Sequence, residues 1–437
     1  MKISNLSKNL QPRKCLPAFM TTALAVALFS CALRAADPTV QPGDPPSGPG
    51  GWRDWRSGLE QRGVRFSLQS ISEGWANLRG GERRGGAYTG LAEGELELDL
   101  EKLTGWKGAT LQTRWFAPYG RDLSARRIGN HFTVSHAAAR PSLYLYELWL
   151  EQRWLEGALS VRAGQLAADE AFAVSEYGSL FLNAAFGWPP FLSENLPGGG
   201  PAFPRGTLGV RIAVQPGERV RLLSALYQGD PFDEEINRHG LRWRPGGSTG
   251  YLWMNEAQFR WNYGEKSGGL PGEAKGGFWY HTPDGENAGF APTRRRKGNA
   301  GLYGVVDQML LRLADSPESS PRGVAWFGRF GIQPQERNTL GLYFDTGLTF
   351  HGLFAARGED ALGIGFACGR WTRGARRTLE AESGHNAARE MLVELTYHCQ
   401  LTPRLALQPD VQWIIHPGAT REFGNALAVG LRSTWTF

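Results

Sequence analysis

Residues 93–101, EGELELDLE, are the stretch that decides how the chain folds. Acidic residues occupy every odd position from Glu93 to Glu101, and leucine occupies positions 96, 98 and 100. Because successive side chains of a strand point to opposite faces, this alternation predicts a β-strand with one charged and one apolar face. Like charges along one face repel, so we expect Arg65 and Arg114 on adjacent strands to pair with them. A metal site is the alternative interpretation of the acidic ladder.

The same period of two recurs along the rest of the chain. It is clear at 109–115, 391–400 and 427–437, where apolar and polar residues alternate. Strands are predicted near 63–77, 91–102, 106–116, 143–154, 158–166, 205–214, 219–228, 250–263, 274–281, 300–313, 323–332, 342–354, 361–371, 391–400, 405–416 and 426–437. Several have about 9 to 12 residues, which is near the length that a tilted strand needs to cross a membrane.

The connections between these strands alternate between short and long. The short ones are KLTG (102–105), LEG (155–157), QPGE (215–218), ARGED (356–360) and LTPR (401–404), and the long ones are 117–142, 167–204, 229–249, 282–299 and 372–390. This layout predicts an all-β fold, a transmembrane antiparallel β-barrel of about sixteen strands. Its turns would be periplasmic, its long loops extracellular, and both termini periplasmic.

A soluble barrel or sandwich is the alternative fold. The heavily charged wet face argues against it. So do aromatic residues near strand ends on apolar faces, as at Trp115, Tyr144, Trp413 and Trp435, because they suit the interfacial girdles of a membrane barrel. The chain also ends on an aromatic residue, Phe437, which resembles the recognition signal of bacterial outer-membrane barrels.

The N-terminus has the three parts of a secretory signal peptide. A basic start is followed by an uncharged segment, 15–33, and by the small residues Ala35 and Ala36. We expect residues 1–36 to be a signal peptide, 37–51 a Pro/Gly-rich leader and 52–437 the barrel. A retained membrane helix is the alternative for the first segment.

The overall charge carries no sign of a nucleic-acid partner. The chain has 48 basic and 42 acidic residues, and five of the basic ones lie in the predicted signal peptide, which leaves a net charge of +1. Cys368 and Cys399 are the cysteines beyond that segment. If 361–371 and 391–400 form a hairpin, they lie at opposite ends and are too far apart for a disulfide, so we expect free, buried thiols.

Catalytic motifs are weak. His131 and His136 are five residues apart, which is not the spacing of a helical zinc pair, and no cysteine pair has metal-ligand spacing. Gly246–Gly250 matches G-x-S-x-G, but it ends a long loop instead of joining a strand to a helix. We therefore expect no enzyme, metal site or cofactor. A barrel lipase or protease that assembles its residues from separate strands stays open as an alternative.

The loop 167–204 is the predicted constriction. Within it, the run from Tyr177 to Ser193 has no charged residue and is rich in aromatic residues, Gly and Pro. Exposure of such a run to water is unfavourable, so we expect it to fold inward and pack on the barrel wall. The alternative is an external cap against neighbouring loops.

A sugar site needs planar hydrogen-bonding groups and an aromatic platform. The candidates are charged or amide residues in the constriction loop or at wet positions beside it. They are Arg114, Glu147, Glu151, Arg162, Asp169, Glu170, Asn183 and Arg205. The alternative role for each is an ion pair that braces the wall or a loop.

The chain resembles the OprB family of carbohydrate-selective porins. The matching segments are GWKG (105–108), LYELWLEQRWLEGALSVRAGQLAADEAF (145–172), FLNAAFG (181–187), YQGDPF (227–232) and LQPDVQWIIHPG (407–418). The resemblance implies a sixteen-stranded barrel with a constriction that passes sugars. The leader 37–51 and the loop carrying Arg294–Lys297 have no counterpart that we can assign.

The function expected from residues and resemblance together is passive, selective diffusion of mono- or small oligosaccharides across the bacterial outer membrane. Expected partners are sugars as solutes, outer-membrane lipid and lipopolysaccharide, and the barrel-assembly machinery acting on Phe437; a homotrimer is a further expectation. The alternatives are a general or anion-preferring porin, or a barrel that serves as an adhesin or export component.

Overall fold

The structure is a computed structural model that describes residues 52–437 except 233–234, 245–248, 264–268, 285–296, 314–321 and 355–356. Several sequence predictions therefore lie outside the described residues. They are the signal peptide, the leader, most of the G-x-S-x-G segment and the basic loop up to position 296.

Sixteen strands form one closed antiparallel barrel in which each strand pairs with its neighbours in sequence and the first pairs with the last. The strands are β1 Val64–Arg79, β2 Gly85–Asp99, β3 Ala109–Gly120, β4 Tyr144–Trp154, β5 Leu159–Leu166, β6 Thr207–Val214, β7 Val220–Gln228, β8 Tyr251–Trp261, β9 Gly272–Asp284, β10 Lys297–Arg312, β11 Gly323–Ile332, β12 Leu340–His351, β13 Ala361–Trp371, β14 Arg389–Thr402, β15 Leu405–Ile415 and β16 Ala426–Thr436. Closure leaves no unpaired edge, which a strand-built protein needs in lipid. The predicted fold is confirmed.

Helices occupy the connections and the N-terminal end. They are α1 Trp52–Gln61, α2 Leu100–Thr104, α3 Pro190–Ser193 and α4 Arg373–Ser383. Among the described residues, no helix combines the length and the apolar character that crossing a membrane requires. The predicted tight turns and long loops fall at opposite ends of the barrel, as expected.

The second strand ends earlier than its alternation suggests. The prediction extended it to 102, but α2 begins at Leu100, because the Asp99 carboxylate accepts hydrogen bonds from the backbone N–H of Glu101 and Lys102. Gly105 ends the helix in the left-handed conformation with φ 81°. Capping residues at both ends thus override the period-two pattern of the leucines.

The two faces of the barrel differ as the alternation predicts. In β16, Ala428 and Arg432 are buried inside, whereas Trp435 is exposed on the outer face. Apolar side chains such as Leu96 and Ile364 are likewise exposed outside, where they face lipid.

The prediction that Tyr144 lies in an aromatic girdle on the outer face is wrong. It is fully buried in a cluster with Phe116 and Tyr146 instead of lying on the lipid face. A register shift between Arg114 and Trp115 in the β3–β4 pair accounts for this, because an irregularity changes which side chains of β4 point inward.

The acidic ladder is paired as expected. The Arg65 guanidinium lies 3.0 Å from Glu97, and Arg114 lies 2.9 Å from Glu93 and 3.2 Å from Glu95. The two arginines come from β1 and β3, the neighbours of β2, so the ladder reads as a wall of ion pairs.

Cys368 and Cys399 form no disulfide within the described part of the chain. Cys399 is buried, whereas Cys368 is half-buried, so burial is complete for one of the two. Cys368 is paired with Met391 across β13–β14, eight residues along the strand from Cys399, which separates the two sulfur atoms as predicted.

Candidate pore constriction

The segment between β5 and β6, residues 167–206, enters the barrel and is called the constriction loop below. Its contacts reach strands on the far side of the barrel. The backbone N–H of Leu182 donates to a Glu394 oxygen of β14 at 2.6 Å, and the Gln408 side chain of β15 donates to the carbonyl of Leu180 at 2.8 Å. The predicted inward folding of this loop is confirmed.

A buried arginine on β11 ties the loop to the wall. Arg329 makes an ion pair with Asp345 of β12, with 2.7 Å between Nη2 and Oδ2, and both side chains are fully buried. The same guanidinium donates to the loop carbonyls of Ala173, Ala185 and Gly187 at 2.8–3.1 Å. Arginine suits this position because its planar group presents five donors in fixed directions.

Carboxylates elsewhere on the wall accept hydrogen bonds from loop N–H groups. Glu256 of β8 accepts from Ala173 at 2.8 Å, and Asp307 of β10 accepts from the Ser175 hydroxyl at 2.6 Å. Buried backbone groups need such partners, because the loop has no sheet ladder of its own. The wall carboxylates therefore replace the hydrogen bonds that secondary structure would supply.

The uncharged run of the loop packs against aromatic residues and glycines of the wall. The rings of Phe181 and Phe186 are 4.6 Å apart, and each lies within 6 Å of the Phe327 ring of β11. A Cβ on Gly365 would come within 2.7 Å of Phe186 and 2.8 Å of Phe181. Glycine on the inner face of β13 thus makes room for the loop.

The preceding loop, residues 121–143, also turns inward and joins the constriction loop. His131 Nδ1 lies 3.2 Å from the Glu194 carboxylate, and the Phe132 N–H donates to Glu390 at 2.7 Å. Burial alone would lower the pKa of His131, but the negative charges of Glu194 and Glu390 outweigh it and raise the pKa to about 9. The imidazolium therefore links the two loops at neutral pH.

Two of the predicted site residues meet where the constriction loop faces the acidic ladder. Arg114 of β3 donates from Nη1 to Glu170 of the loop at 2.8 Å, in addition to its contacts with β2. The Arg114 side chain is 20 % exposed and that of Glu170 is 42 % exposed, so a solute in the lumen has access to both.

Two further predicted residues form a basic cluster on neighbouring strands. The Glu151 carboxylate lies 2.8 Å from Arg153, 3.4 Å from Arg162 and 3.5 Å from Arg211. Three guanidinium groups share one carboxylate, so the cluster keeps excess positive charge on the lumen wall. Glu151 and Arg211 are buried, Arg162 is half-buried, and Arg153 is the exposed arginine of the cluster.

The other four predicted residues occupy bracing positions. Glu147 accepts from the Ala167 N–H at 3.1 Å, and Asp169 accepts from the Tyr146 hydroxyl at 2.5 Å. Burial, together with the charge of Glu170, raises the pKa of Asp169.

Asn183 and Arg205 brace the loop in the same way. The Asn183 side chain donates to the Gln412 side chain at 2.8 Å and is fully buried. Arg205 is buried and donates to the carbonyls of Phe232 and Gly198. Both side chains hold the constriction loop against its surroundings.

Trp149 and Arg211 complete the basic cluster, although neither was among the residues predicted from the sequence. The Arg162 guanidinium lies 3.4 Å from the centre of the Trp149 ring, and Arg211 is paired directly with Arg162 across β5–β6. Arg211 stands between outward-facing Val210 and Ile212, so its inward position was readable from the alternation. Trp149 lay within a quoted segment, but only the structure brings Arg162 over its ring.

A cavity of about 250 Å³ lies beside this cluster. Its lining includes Gln112, Trp149 and Arg162, together with Arg65 and Glu97 of the neighbouring wall. It thus joins the basic cluster to the acidic ladder. The Trp149 ring in its lining is 3 % exposed and is covered by the Arg162 guanidinium.

A closed sixteen-stranded barrel with an apolar exterior, a charged lumen and an inward-folded loop defines an outer-membrane porin. The sequence profile of the carbohydrate-selective porin family OprB matches residues 83–437. The chain belongs to this family and is a carbohydrate porin of the bacterial outer membrane.

Two named relatives are similar over most of their length. Porin B of Pseudomonas aeruginosa is 26 % identical over 464 residues, which covers 97 % of this chain and 99 % of the relative. The putative porin QuiX of Acinetobacter baylyi is 22 % identical and covers 89 % of this chain and 92 % of its own.

The fold matches a solved structure as well. The high-pH structure of Pseudomonas putida OprB superimposes with a TM-score of 0.78 at 24 % identity, and the match covers 88 % of this chain and 97 % of that one. At this identity the likeness concerns the fold.

Proposed function

We propose that sugars are retained in the lumen at the cavity beside Trp149 and Arg162, on the way past the constriction loop. The observation that carries the proposal is the Arg162 guanidinium 3.4 Å above the Trp149 ring, at the edge of a cavity of about 250 Å³. A sugar has hydroxyl groups for the guanidinium, which the buried Trp149 ring holds in place by stacking.

The polar groups at this cavity suit a neutral polyhydroxylated solute. Gln112 offers an amide, Glu97 a carboxylate and Arg65 a guanidinium, so donors and acceptors lie on both sides. The indole N–H of Trp149 is buried and has no hydrogen-bond partner among the described residues. A rearranged Trp149 would gain an acceptor from a sugar hydroxyl.

We infer a second contact at Arg114 and Glu170, where the barrel wall meets the constriction loop. Both are partly exposed, and together they present a donor and an acceptor. The bracing residues Glu147, Asp169, Asn183 and Arg205 support the loop from behind, and their proposed role is to position it.

Anion preference is the second candidate function, and the basic cluster favours it. One carboxylate, Glu151, neutralises only one of the three arginines that contact it. Ion selectivity and sugar retention are separate measurements, so the two functions are distinguishable on the same channel.

The test is single-channel conductance of the refolded protein in planar bilayers, titrated with glucose, maltose and a neutral non-sugar solute of similar size. We expect saturable block by sugars and none by the control solute. Arg162→Ala removes about one hydrogen bond, worth about 1 kcal/mol, and weakens the block about fivefold. Trp149→Leu also weakens it, whereas Trp115→Leu on the outer face of β3 serves as the matched control.

Other outcomes assign other functions. Conductance that no sugar changes indicates a general porin. Equal effects of Trp149→Leu and Trp115→Leu remove Trp149 from the proposal. A folded barrel without conductance favours an adhesin or export role.

We further propose how the chain is divided into segments and which molecules surround the barrel in the membrane. Residues 1–36 act as the signal peptide, 37–51 as a leader and 52–437 as the barrel. Lipopolysaccharide and outer-membrane lipid surround the barrel, three copies associate, and the assembly machinery recognises Phe437. The exposure of that terminal side chain supports the last step.

A further inference from the structure

Three arginines stand together on the outer surface of the barrel, at the extracellular end. Arg370 lies near the end of β13, Arg389 begins β14, and the two are direct cross-strand partners. Both are exposed. Arg421, from the loop between β15 and β16, is exposed and lines the same groove.

Their arrangement is unfavourable without an anion. Like charges directly opposite each other in an antiparallel pair have Cβ atoms about 4.5–5.5 Å apart and destabilise the sheet. Among the described residues, no acidic side chain forms an ion pair with any of these three arginines. Within the same part of the chain, the lumen arginines Arg114, Arg162 and Arg329 are paired with carboxylates, whereas these three outward-facing arginines are not, which points to a counter-ion from outside the chain.

Two of these arginines produce a positive electrostatic potential that extends to a neighbouring histidine. Burial lowers the pKa of His416, and the charges of Arg421 and Arg389 lower it further. His416 follows directly after β15, so the field of both arginines reaches the loop that carries Arg421.

The groove beneath the arginines is apolar. Its volume is about 560 Å³, and Leu342, Phe344 and Cys368 form its floor. Leu342 and Phe344 are each about 40 % exposed on the outer face of β12. The apolar surface continues toward the membrane centre at Ile364, which is exposed on the same face of β13.

We propose that this groove, called the arginine groove below, binds lipopolysaccharide of the outer leaflet through its lipid A phosphates. Arg370 and Arg389 take a phosphate between them, Arg421 closes the groove, and acyl chains lie along Leu342 and Phe344. Arginine favours phosphate because its planar fork donates two parallel hydrogen bonds. The inference deepens the proposed lipid surroundings and rests on them, but it does not depend on sugar passage.

The height of the groove fits this occupant. The arginines lie where the outward apolar face ends and the extracellular loops begin, which is the level of the outer-leaflet headgroups. Basic side chains at a membrane surface attract anionic lipid headgroups. A ligand with phosphate above and hydrocarbon below matches both halves of the groove.

Native mass spectrometry of the full-length detergent-purified protein tests the proposal. The probes are bis-phosphorylated lipid A, fully dephosphorylated lipid A and phosphatidylglycerol. The variant Arg370→Gln/Arg389→Gln removes the opposed pair. The matched control, Arg373→Gln/Arg377→Gln, removes two exposed arginines of α4 at the same rim that do not line the groove.

We expect wild type to prefer bis-phosphorylated lipid A, and the groove variant to bind it about tenfold more weakly, or about 1.4 kcal/mol. The control variant keeps wild-type binding. Arg421→Gln, which alters a loop residue outside the sheet, shows a smaller loss and covers the case in which the double variant does not fold. Heat-modifiable migration verifies the barrel, and sugar block of conductance stays unchanged, so failure of this proposal and failure of sugar retention are distinguishable.

Three results overturn the inference. Equal losses in the groove and control variants show that only the total charge of the rim matters. Equal binding of phosphatidylglycerol shows a general anionic-lipid surface. Equal binding of dephosphorylated lipid A shows that phosphate is not recognised.

Discussion

At the residue scale, Arg114 controls the charge at one side of the constriction. It contacts Glu93, Glu95 and Glu170 within 3.2 Å. Arg114→Gln leaves these three carboxylates without their shared cation, so we expect the channel to become more cation-selective. The reversal potential under a KCl gradient measures the change. Arg65→Gln is the control, because among the described residues Arg65 pairs with one carboxylate, Glu97, and is mostly exposed. An unchanged potential in Arg114→Gln contradicts the assignment.

His131 makes the contact between the two inward loops pH-dependent. Its pKa is raised from 6.5 to about 9 in the folded protein, mainly because Glu194 opposes the effect of burial, with Glu390 adding to it. The stabilisation is therefore complete below about pH 6.5 and is lost as the pH rises through about 9. We expect the unfolding temperature of wild type to fall between pH 7 and 10.

His131→Gln removes this titration and isolates it from other groups. The variant starts from a lower unfolding temperature at pH 7 and changes less on the way to pH 10. His385→Gln, at the extracellular rim, keeps the full wild-type decline. Parallel pH curves for wild type and His131→Gln count against the link.

At the element scale, the strands were readable because a porin wall separates water from lipid. Each strand shows polar residues inward and apolar residues outward, so a period of two marks it without a partner sequence. The failures occur where local chemistry overrides this pattern. Asp99 caps a helix at 100–104, and the register shift beside Trp115 moves Tyr144 inside.

The constriction loop was identified from its uncharged aromatic run, but its contacts were not. Its partners are far away in sequence: Asn183 meets Gln412, and Leu182 meets Glu394. No local pattern encodes such pairings. For the same reason, the sequence did not distinguish candidates that line the cavity, such as Arg162, from bracing ones such as Asn183.

Arg329 anchors the constriction loop, so we expect its replacement to change both the stability of the barrel and its conductance. Arg329→Met leaves the buried Asp345 unpaired, which costs about 3–5 kcal/mol, and removes the donors to the loop carbonyls. We expect a lower temperature of the heat-induced gel shift and a higher conductance, because the loop moves from the wall.

The double variant Arg329→Met/Asp345→Leu separates the effect of the buried ion pair on stability from the effect of the loop hydrogen bonds on conductance. It removes both buried charges, so the gel-shift temperature recovers in part. The loop carbonyls of Ala173 and Ala185 still lack the guanidinium, so the conductance stays high. Conductance that returns to the wild-type value shows that the loop does not depend on this arginine.

At the scale of the whole molecule, closure joins the two ends of the chain. β1 pairs with β16, and the backbone N–H of Phe437 donates to the carbonyl of Leu68 at 2.9 Å. The barrel is therefore complete only when the last strand has been made.

The proposed recognition of Phe437 can be tested apart from barrel stability, because its side chain is 50 % exposed while its backbone closes the barrel. Phe437→Ser keeps the backbone hydrogen bond and loses little packing. We expect much less heat-modifiable protein in the outer membrane of cells, but normal refolding and conductance from denatured protein in detergent. Phe437→Tyr retains an aromatic ring and restores the cellular level. Poor refolding of Phe437→Ser in detergent would assign the residue to barrel stability instead, and a normal level in cells would remove it from the assembly signal.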